Sequence, residues 1–334
     1  MERKVIPARD KNEFGMDGFI WQHYMEREAA PKDTNVPDGP VICGANVGAK
    51  RYPDDHPTYP VIDLAQNIEE TDYPKDGYLV RRYAPKGLAA PAPCIVYAHG
   101  GGWSMGSIKR LGNIARRLAD LMQGVVLYVD YTLSPEAAFP TAVNQCYEVL
   151  CEAHENPEKY GVDPAKIAMM GDSAGGNITA SVAILDRETR YMNTQMLYFP
   201  VVDLSDYSYD VWDYGAYGEN LHPFVAAKTQ GIYKAGRELN YAYLRETPAD
   251  DEIASPLLYH DFTAFPPTIM LTAEYDFLRQ QSEEFVQKLD DAGVKTGYVM
   301  YEGTFHGYLE RLGFFWQSDD SLQYLVKKWY EWMA

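Results

Sequence analysis

The sequence predicts an α/β fold in which a mostly parallel sheet carries helices on both faces. From about residue 77 onward, short and continuous apolar runs alternate with longer segments of helical periodicity, and glycine-rich turns follow two of the apolar runs. Strands that are apolar along their whole length are typical of parallel sheets, which are buried on both faces. The 334 residues, 46% of them hydrophobic, suffice for one large domain with an insertion.

Each predicted element rests on its own apolar pattern. A short helix is expected near residues 19–28. Strands are predicted at residues 78–83, 94–98, 125–129, 166–170, 196–199, 268–272 and 297–301. Helices are predicted at residues 111–122, 141–153, 178–185, 281–292 and 321–333.

Two regions interrupt this alternation. Residues 1–75 contain an apolar patch around Trp21 and then a passage rich in Pro, Asp and Gly, with too little periodicity for a core of their own. Residues 203–250 read as irregular and are rich in aromatic residues: Tyr207, Tyr209, Trp212, Tyr214, Tyr217, Tyr233, Tyr241 and Tyr243. Long insertions between sheet elements usually have a function. We therefore predict that both regions form a cap over the domain built by residues 76–202 and 251–334.

Composition excludes several classes of partner and cofactor. The formal charge of −18 disfavours nucleic acid and anionic membrane surfaces. No signal peptide and no membrane-spanning run is recognisable. Seven scattered histidines without a His-Glu-x-x-His motif predict neither a metal site nor a cofactor. Without a Cys-x-x-Cys pair, the four cysteines are expected to be reduced packing residues of a cytoplasmic protein: Cys43, Cys94, Cys146 and Cys151.

Ser173 is the candidate nucleophile. It lies in Gly171-Asp-Ser-Ala-Gly175, between an apolar strand and a helical segment rich in small residues. A serine that projects above a sheet needs a very tight turn, and the flanking Gly171 and Gly175 avoid the clash that a Cβ would cause there. The following helix would present free N–H groups to a negative charge forming on a substrate oxygen.

A second glycine motif, His99-Gly-Gly-Gly-Trp103, follows a buried strand. The bare amides of Gly100, Gly101 and Gly102 suit an oxyanion hole. A phosphate-binding loop would need a Gly-Lys-Ser/Thr ending, which is absent. We expect His99 to brace the loop, because it precedes the nucleophile along the chain.

The general base and its partner acid should follow Ser173 along the chain. Three downstream histidines are available, and His306 is favoured over His222 and His260 because it follows the last strand on a loop bracketed by glycines. That position is at the carboxyl edge of the sheet, where ligands bind in open α/β folds. For the acid, Asp276 and Glu274 both follow the preceding strand and remain alternatives.

Together these motifs resemble the hormone-sensitive-lipase-like family of α/β-hydrolases, a group of microbial carboxylesterases that includes acetyl esterases. The resemblance extends from about residue 78 to the C-terminus. The shared motifs are His99-Gly-Gly-Gly-Trp103, Asp130-Tyr-Thr-Leu-Ser-Pro-Glu136, Phe139-Pro140, Gly171-Asp-Ser-Ala-Gly-Gly-Asn177, Ala254-Ser-Pro-Leu257, Leu271-Thr-Ala-Glu-Tyr-Asp276, Leu278-Arg279 and His306-Gly307.

The resemblance implies the α/β-hydrolase fold, with Ser173 as nucleophile, Asp276 as orienting acid and His306 as base. It also implies an oxyanion hole formed by the amides of Gly101, Gly102 and Ala174, and a cap made of the N-terminal segment and the insertion. The sequence departs from the family pattern in two places: Gln280-Gln281 replaces an Asp-Glu pair, and Thr132 replaces a frequent arginine.

The expected function is that of a serine carboxylesterase acting on small, short-acyl esters through an acyl-enzyme. The aromatic residues of the cap either pack it onto the domain or stack a sugar or aryl alcohol. One alternative is a non-catalytic small-molecule receptor, like the gibberellin receptors that resemble this family but lack the catalytic histidine. Another is an amidase, lactonase or acyltransferase with the same three residues. The sequence does not decide whether the protein forms a homo-oligomer.

Overall fold

The computed structural model describes residues 1–12, 16–29, 61–205 and 222–334. Its nine strands are β1 (Glu2–Ile6), β2 (Ile68–Pro74), β3 (Leu79–Pro85), β4 (Ala92–Ala98), β5 (Val125–Asp130), β6 (Val162–Asp172), β7 (Thr194–Tyr198), β8 (Thr268–Tyr275) and β9 (Thr296–Phe305). The helices are α1 (Gly18–Ala29), α2 (Ile108–Met122), α3 (Thr141–Glu155), α4 (Pro157–Tyr160), α5 (Ala174–Leu185), α6 (Pro223–Leu244), α7 (Arg279–Asp291) and α8 (Trp316–Met333).

All nine strands form one sheet in the order β1-β9-β8-β7-β6-β4-β5-β3-β2. In this spatial order, the first seven strands, from β1 through β9 and β4 to β5, pair in parallel. Strand β3 pairs antiparallel with both β5 and β2. The carboxyl ends of β4, β6, β8 and β9 therefore lie at the same edge, and the loops that follow these strands carry the candidate site. The predicted α/β fold is confirmed.

The alternation of side chains along each strand divides the core between the two faces of the sheet. On one face, Val96 and Met169 pack with buried residues of α3, α5 and α7. On the other, Tyr97 and Met170 pack with those of α2 and α8 and with Ile20 of α1. Because both faces are covered, the central strands are apolar throughout, which is why they could be recognised from the sequence.

Three elements lie where no strand or long helix is expected. Within residues 1–75, β1 and β2 form the two edges of the sheet, and both are mostly exposed. Charged side chains are typical of edge strands, and they hide the apolar alternation by which strands are recognised. The prediction that residues 203–250 are irregular is wrong for their C-terminal half, where α6 spans 22 residues.

Some predicted features lie outside the described residues: Cys43, Tyr207, Tyr209, Trp212, Tyr214 and Tyr217. The other three cysteines are free thiols, with Cys94 and Cys146 buried. In the described part of the chain, no helix is long and apolar enough to cross a membrane.

Candidate active site

Ser173 stands between the end of β6 and the start of α5, on a sharply strained turn. Its backbone angles are φ 55° and ψ −118°, a region that residues other than glycine rarely adopt. Its amide donates a hydrogen bond to the carbonyl of Tyr198 at 2.9 Å, which fixes the turn to the end of β7. A Cβ on Gly171 would lie 2.0 Å from the Gly175 carbonyl oxygen, and one on Gly175 would lie 2.0 Å from that of Ala98. The packing therefore requires both glycines of the motif.

Three of the predicted site residues meet at the carboxyl edge of the sheet. His306 Nε2 lies 2.9 Å from Ser173 Oγ, and His306 Nδ1 lies 2.7 Å from Asp276 Oδ2. Of the two acids left open by the sequence, Asp276 is the one that contacts the imidazole. The other two downstream histidines lie elsewhere, since His222 caps α6 and His260 pairs with Glu252 at the surface.

The surroundings of the imidazole fix both its orientation and its charge. Asp276 is buried, and its Oδ1 accepts a hydrogen bond from the Leu278 amide at 2.9 Å, which leaves Oδ2 directed at His306. Burial lowers the pKa of His306, but the charge of Asp276 and the hydrogen bond to it outweigh this effect, and Glu310 and Asp172 add to them. The pKa of His306 is therefore raised above its ordinary value of 6.5.

The glycine loop after β4 faces the serine. Gly101 and Gly102 both have positive φ, 120° and 58°, which turns their peptide groups away from a regular strand. Their amides, and that of Ala174 at the start of α5, donate no hydrogen bond to the part of the chain that the structure describes. Such free donors can meet a negative oxygen.

His99 braces this loop from behind. Its ring is fully buried and stacks on Tyr131 with centroids 4.3 Å apart. Its Nδ1 donates to the carbonyl of Gly100 at 2.8 Å, and Tyr131 in turn donates to the His99 carbonyl. Burial lowers the pKa of His99 to about 4, so the ring is neutral at pH 7. Its geometry agrees with the bracing role expected from the sequence.

Asp172 is a member of the site that no sequence pattern singled out. Its carboxylate is fully buried beside Ser173, and Oδ1 accepts hydrogen bonds from the Tyr97 hydroxyl at 2.8 Å and the Gly100 amide at 3.0 Å. It thus joins the serine turn to the glycine loop. Burial raises its pKa to about 7, and the charge of Glu310 acts in the same direction. The only available signal was an acid directly before the serine.

Gln281, one of the departures from the family pattern, has a defined structural role. Its Oε1 accepts hydrogen bonds from the amides of Val202 and Asp203, at 2.6 and 3.0 Å. The side chain is buried, and it fixes the chain that leads from β7 toward the insertion. A neutral amide fills this buried position without the cost of burying a charge.

Helix α6, which lies in the insertion predicted to form part of a cap, packs directly on the glycine loop. A Cβ added to Gly102 would lie 2.4 Å from a methyl carbon of Leu239, so this side chain covers Gly102. Nearby, the Trp103 indole stacks on Tyr243 with centroids 4.3 Å apart. The ring of Phe199 lies 4.9 Å from the His306 ring. Apolar side chains therefore restrict the space around the serine.

The sequence also matches a family of known proteins. Residues 95–310 match the sequence model of a family described as having the α/β-hydrolase fold. The chain belongs to this family.

Within the described residues, no group of three or more His, Cys, Asp or Glu side chains could hold a metal ion.

Relatives of this α/β-hydrolase include an arylesterase from Saccharolobus solfataricus, 32% identical over 78% of this chain and 80% of that protein. The carboxylesterase NlhH of Mycobacterium tuberculosis is 32% identical over 85% and 87% of the two chains. The solved structure of EstE1, a carboxylesterase from a metagenomic library, has a TM-score of 0.71 and 34% identity, covering 81% of this chain and 90% of that one. The predicted membership in the hormone-sensitive-lipase-like group is confirmed.

Proposed function

We propose that this carboxylic ester hydrolase cleaves small, uncharged, short-acyl esters through an acyl-enzyme formed on Ser173. One observation carries the proposal: a continuous chain of hydrogen-bonding distances leads from Asp276 through His306 to the serine hydroxyl, 2.7 and 2.9 Å long. Such a chain activates a hydroxyl that is otherwise a weak nucleophile at neutral pH.

In the first half of the reaction, His306 Nε2 accepts the proton of Ser173 Oγ while this oxygen attacks the ester carbonyl. The negative charge moves to the carbonyl oxygen, where the amides of Gly101, Gly102 and Ala174 stabilise it. Loss of one such donor typically costs about 2.7–4 kcal/mol of transition-state stabilisation. His306 then gives its proton to the alkoxide oxygen as the carbon–oxygen bond breaks, and the alcohol leaves.

In the second half, water takes the place of the alcohol. His306 accepts a proton from the water as its oxygen attacks the acyl carbon, and the same amides stabilise the charge again. When the bond to Ser173 Oγ breaks, His306 returns the proton to the serine and the free acid is released. Asp276 keeps the imidazole in the tautomer with a proton on Nδ1 and stabilises its charged form.

The preference for small acyl groups is supported by the crowding near the serine. Leu239 covers Gly102, and Phe199 lies against the ring of His306. The names of two relatives, arylesterase and carboxylesterase, support a carboxylic ester as the substrate. That the ester is formed with an aryl or sugar alcohol remains a proposal.

The test is hydrolysis of p-nitrophenyl esters from acetate to octanoate by the wild type and Ser173→Ala. The wild type should favour acyl groups up to about hexanoyl. Because the nucleophile is removed, the variant should lose roughly 10⁴-fold or more in kcat. Undiminished turnover by the variant would contradict the proposal. Acetylated sugars compared with alkyl acetates would test the alcohol group, and equal rates would remove the sugar or aryl idea.

A further inference from the structure

From the sequence alone, Glu274 and Asp276 are both candidates for the catalytic acid. In the structure Asp276 contacts His306, whereas Glu274 contacts the backbone of the neighbouring strand. Here the pairing of β8 with β9 shifts register: Ala273 pairs with Tyr301 but Tyr275 pairs with Phe305, so that β9 bulges opposite Glu274. Bulges redirect side chains near active sites. Glu274 Oε2 accepts a hydrogen bond from the Gly303 amide at 2.7 Å, and only 18% of its side chain is exposed.

Gly303 lies three residues before His306 and is held from two sides. Its amide donates to Glu274, and its carbonyl faces the Asp17 amide at 3.4 Å. Its φ is +71°, and a Cβ on it would lie 2.2 Å from the Asp17 nitrogen. Asp17 in turn caps α1 by accepting from the amides at 19 and 20. The end of β9 is therefore fixed both to β8 and to the N-terminal segment.

Lys11 completes the contact between these three segments. Its Nζ lies 3.8 Å from Glu274 Oε1 and 3.5 Å from Glu302 Oε2. The backbone of Lys11 also forms an isolated antiparallel β-bridge with Asp17, the residue that caps the start of α1. A single ammonium group between two carboxylates reduces their mutual repulsion. The N-terminal segment thus reaches the ends of the two strands that lead to Asp276 and His306.

We propose that Glu274 is a positioning residue that sets the separation of Asp276 and His306 and makes it depend on docking of the N-terminal segment. Asp276 lies two residues after Glu274, and His306 lies three residues after Gly303. The Glu274–Gly303 hydrogen bond therefore joins the bases of the two loops that carry the acid and the imidazole. This inference rests on the proposed function of these two residues.

The test compares Glu274→Ala with Glu274→Gln, using p-nitrophenyl acetate and counting active sites by phosphonate titration. Glu274→Ala should lower kcat per titrated site by roughly ten- to a hundredfold with KM little changed, because small misplacements of catalytic groups are costly. Glu274→Gln keeps an oxygen that can accept from Gly303 but loses the charge that faces Lys11, so part of kcat should return.

Asp290→Ala is the matched control. Asp290 Oδ1 accepts from the hydroxyl of Thr296, so its loss also removes a carboxylate bonded to β9, but at the opposite end of that strand from His306. This variant should unfold at a lower temperature with kcat unchanged. Equal losses of kcat in Asp290→Ala and Glu274→Ala would overturn the proposal.

Two further results would overturn it: a kcat of Glu274→Ala within twofold of the wild type, or a Glu274→Gln as impaired as Glu274→Ala. If Glu274→Ala does not fold, Lys11→Met carries the test, because it keeps the Gly303 bond but removes the ion pair; an unchanged kcat would then overturn the proposal. The proposed function fails separately, since an active Ser173→Ala contradicts it whatever the Glu274 series gives.

Discussion

Ser173 has a backbone conformation that costs free energy, on the order of 1–3 kcal/mol for a residue other than glycine. The surrounding contacts maintain it: the Ser173 amide bonds to Tyr198, and neither Gly171 nor Gly175 leaves room for the turn to relax. The strain directs the hydroxyl toward His306 instead of into the sheet. Local conformation, and not residue type alone, separates this serine from the others in the chain.

The charge state of His306 predicts the pH dependence of activity. The imidazole must be neutral to accept the serine proton, and its pKa is raised above 6.5 because Asp276 outweighs burial. With p-nitrophenyl acetate, kcat/KM should therefore increase with pH, with a midpoint above 6.5. A profile measured at constant ionic strength with a midpoint below 6.5 would contradict this account of the site.

Asp172 predicts a pH dependence of stability. Its pKa is about 7 in the folded protein, against an ordinary value of 3.8, so between these pH values the folded state binds more protons than the unfolded state. Its contribution to the free energy of unfolding must then fall as pH rises from about 4 to 7. The variant Asp172→Asn has no titrating group at this position, so its free energy of unfolding lacks this decrease.

Urea unfolding of the wild type and Asp172→Asn at pH 5 and pH 8 tests this linkage. The variant should gain stability relative to the wild type on going to pH 8, because all other titrating groups are shared. A difference between the two proteins that is the same at both pH values would show that Asp172 does not titrate in this range.

At the scale of elements, α6 brings a side chain of the insertion next to the glycine loop. Leu239 lies over Gly102, whereas Tyr241 on the same helix is 66% exposed. Leu239→Ala should open space beside the ester carbonyl and raise the ratio of kcat/KM for p-nitrophenyl octanoate over acetate by roughly tenfold. Tyr241→Ala is the control and should leave the ratio unchanged. An unchanged ratio in Leu239→Ala would show that α6 does not line the acyl-binding site.

The elements that the sequence failed to predict share a physical reason. Strands such as β4 and β6 are apolar on both sides, and any buried parallel strand shows this pattern. By contrast, β1 and β2 are edge strands with charged residues, and their pairing depends on partners distant in the sequence. Gly231 and Gly236 lower the helix propensity of α6, which is stabilised by packing on the glycine loop.

At the scale of the whole molecule, the parallel sheet explains why the site could be predicted. The loops after β4, β6, β8 and β9 meet at one edge by topology, so Ser173 and His306, 133 positions apart, come within hydrogen-bonding distance. The sequence predicted Ser173 from its glycine motif and His306 from its place after the last strand, and the resemblance selected Asp276 over Glu274. It could not predict Asp172 or Glu274, because their roles depend on hydrogen bonds to the backbone of other loops.

The proposed reaction depends most directly on Ser173 carrying the acyl group, and one measurement tests this role. A p-nitrophenyl alkylphosphonate should release one p-nitrophenolate per chain, leave the phosphonyl group on Ser173 in peptide mass spectra and abolish esterase activity in proportion to labelling. Ser173→Ala should remain unlabelled. Activity that persists after complete labelling, or a phosphonyl group on another residue, would contradict the account.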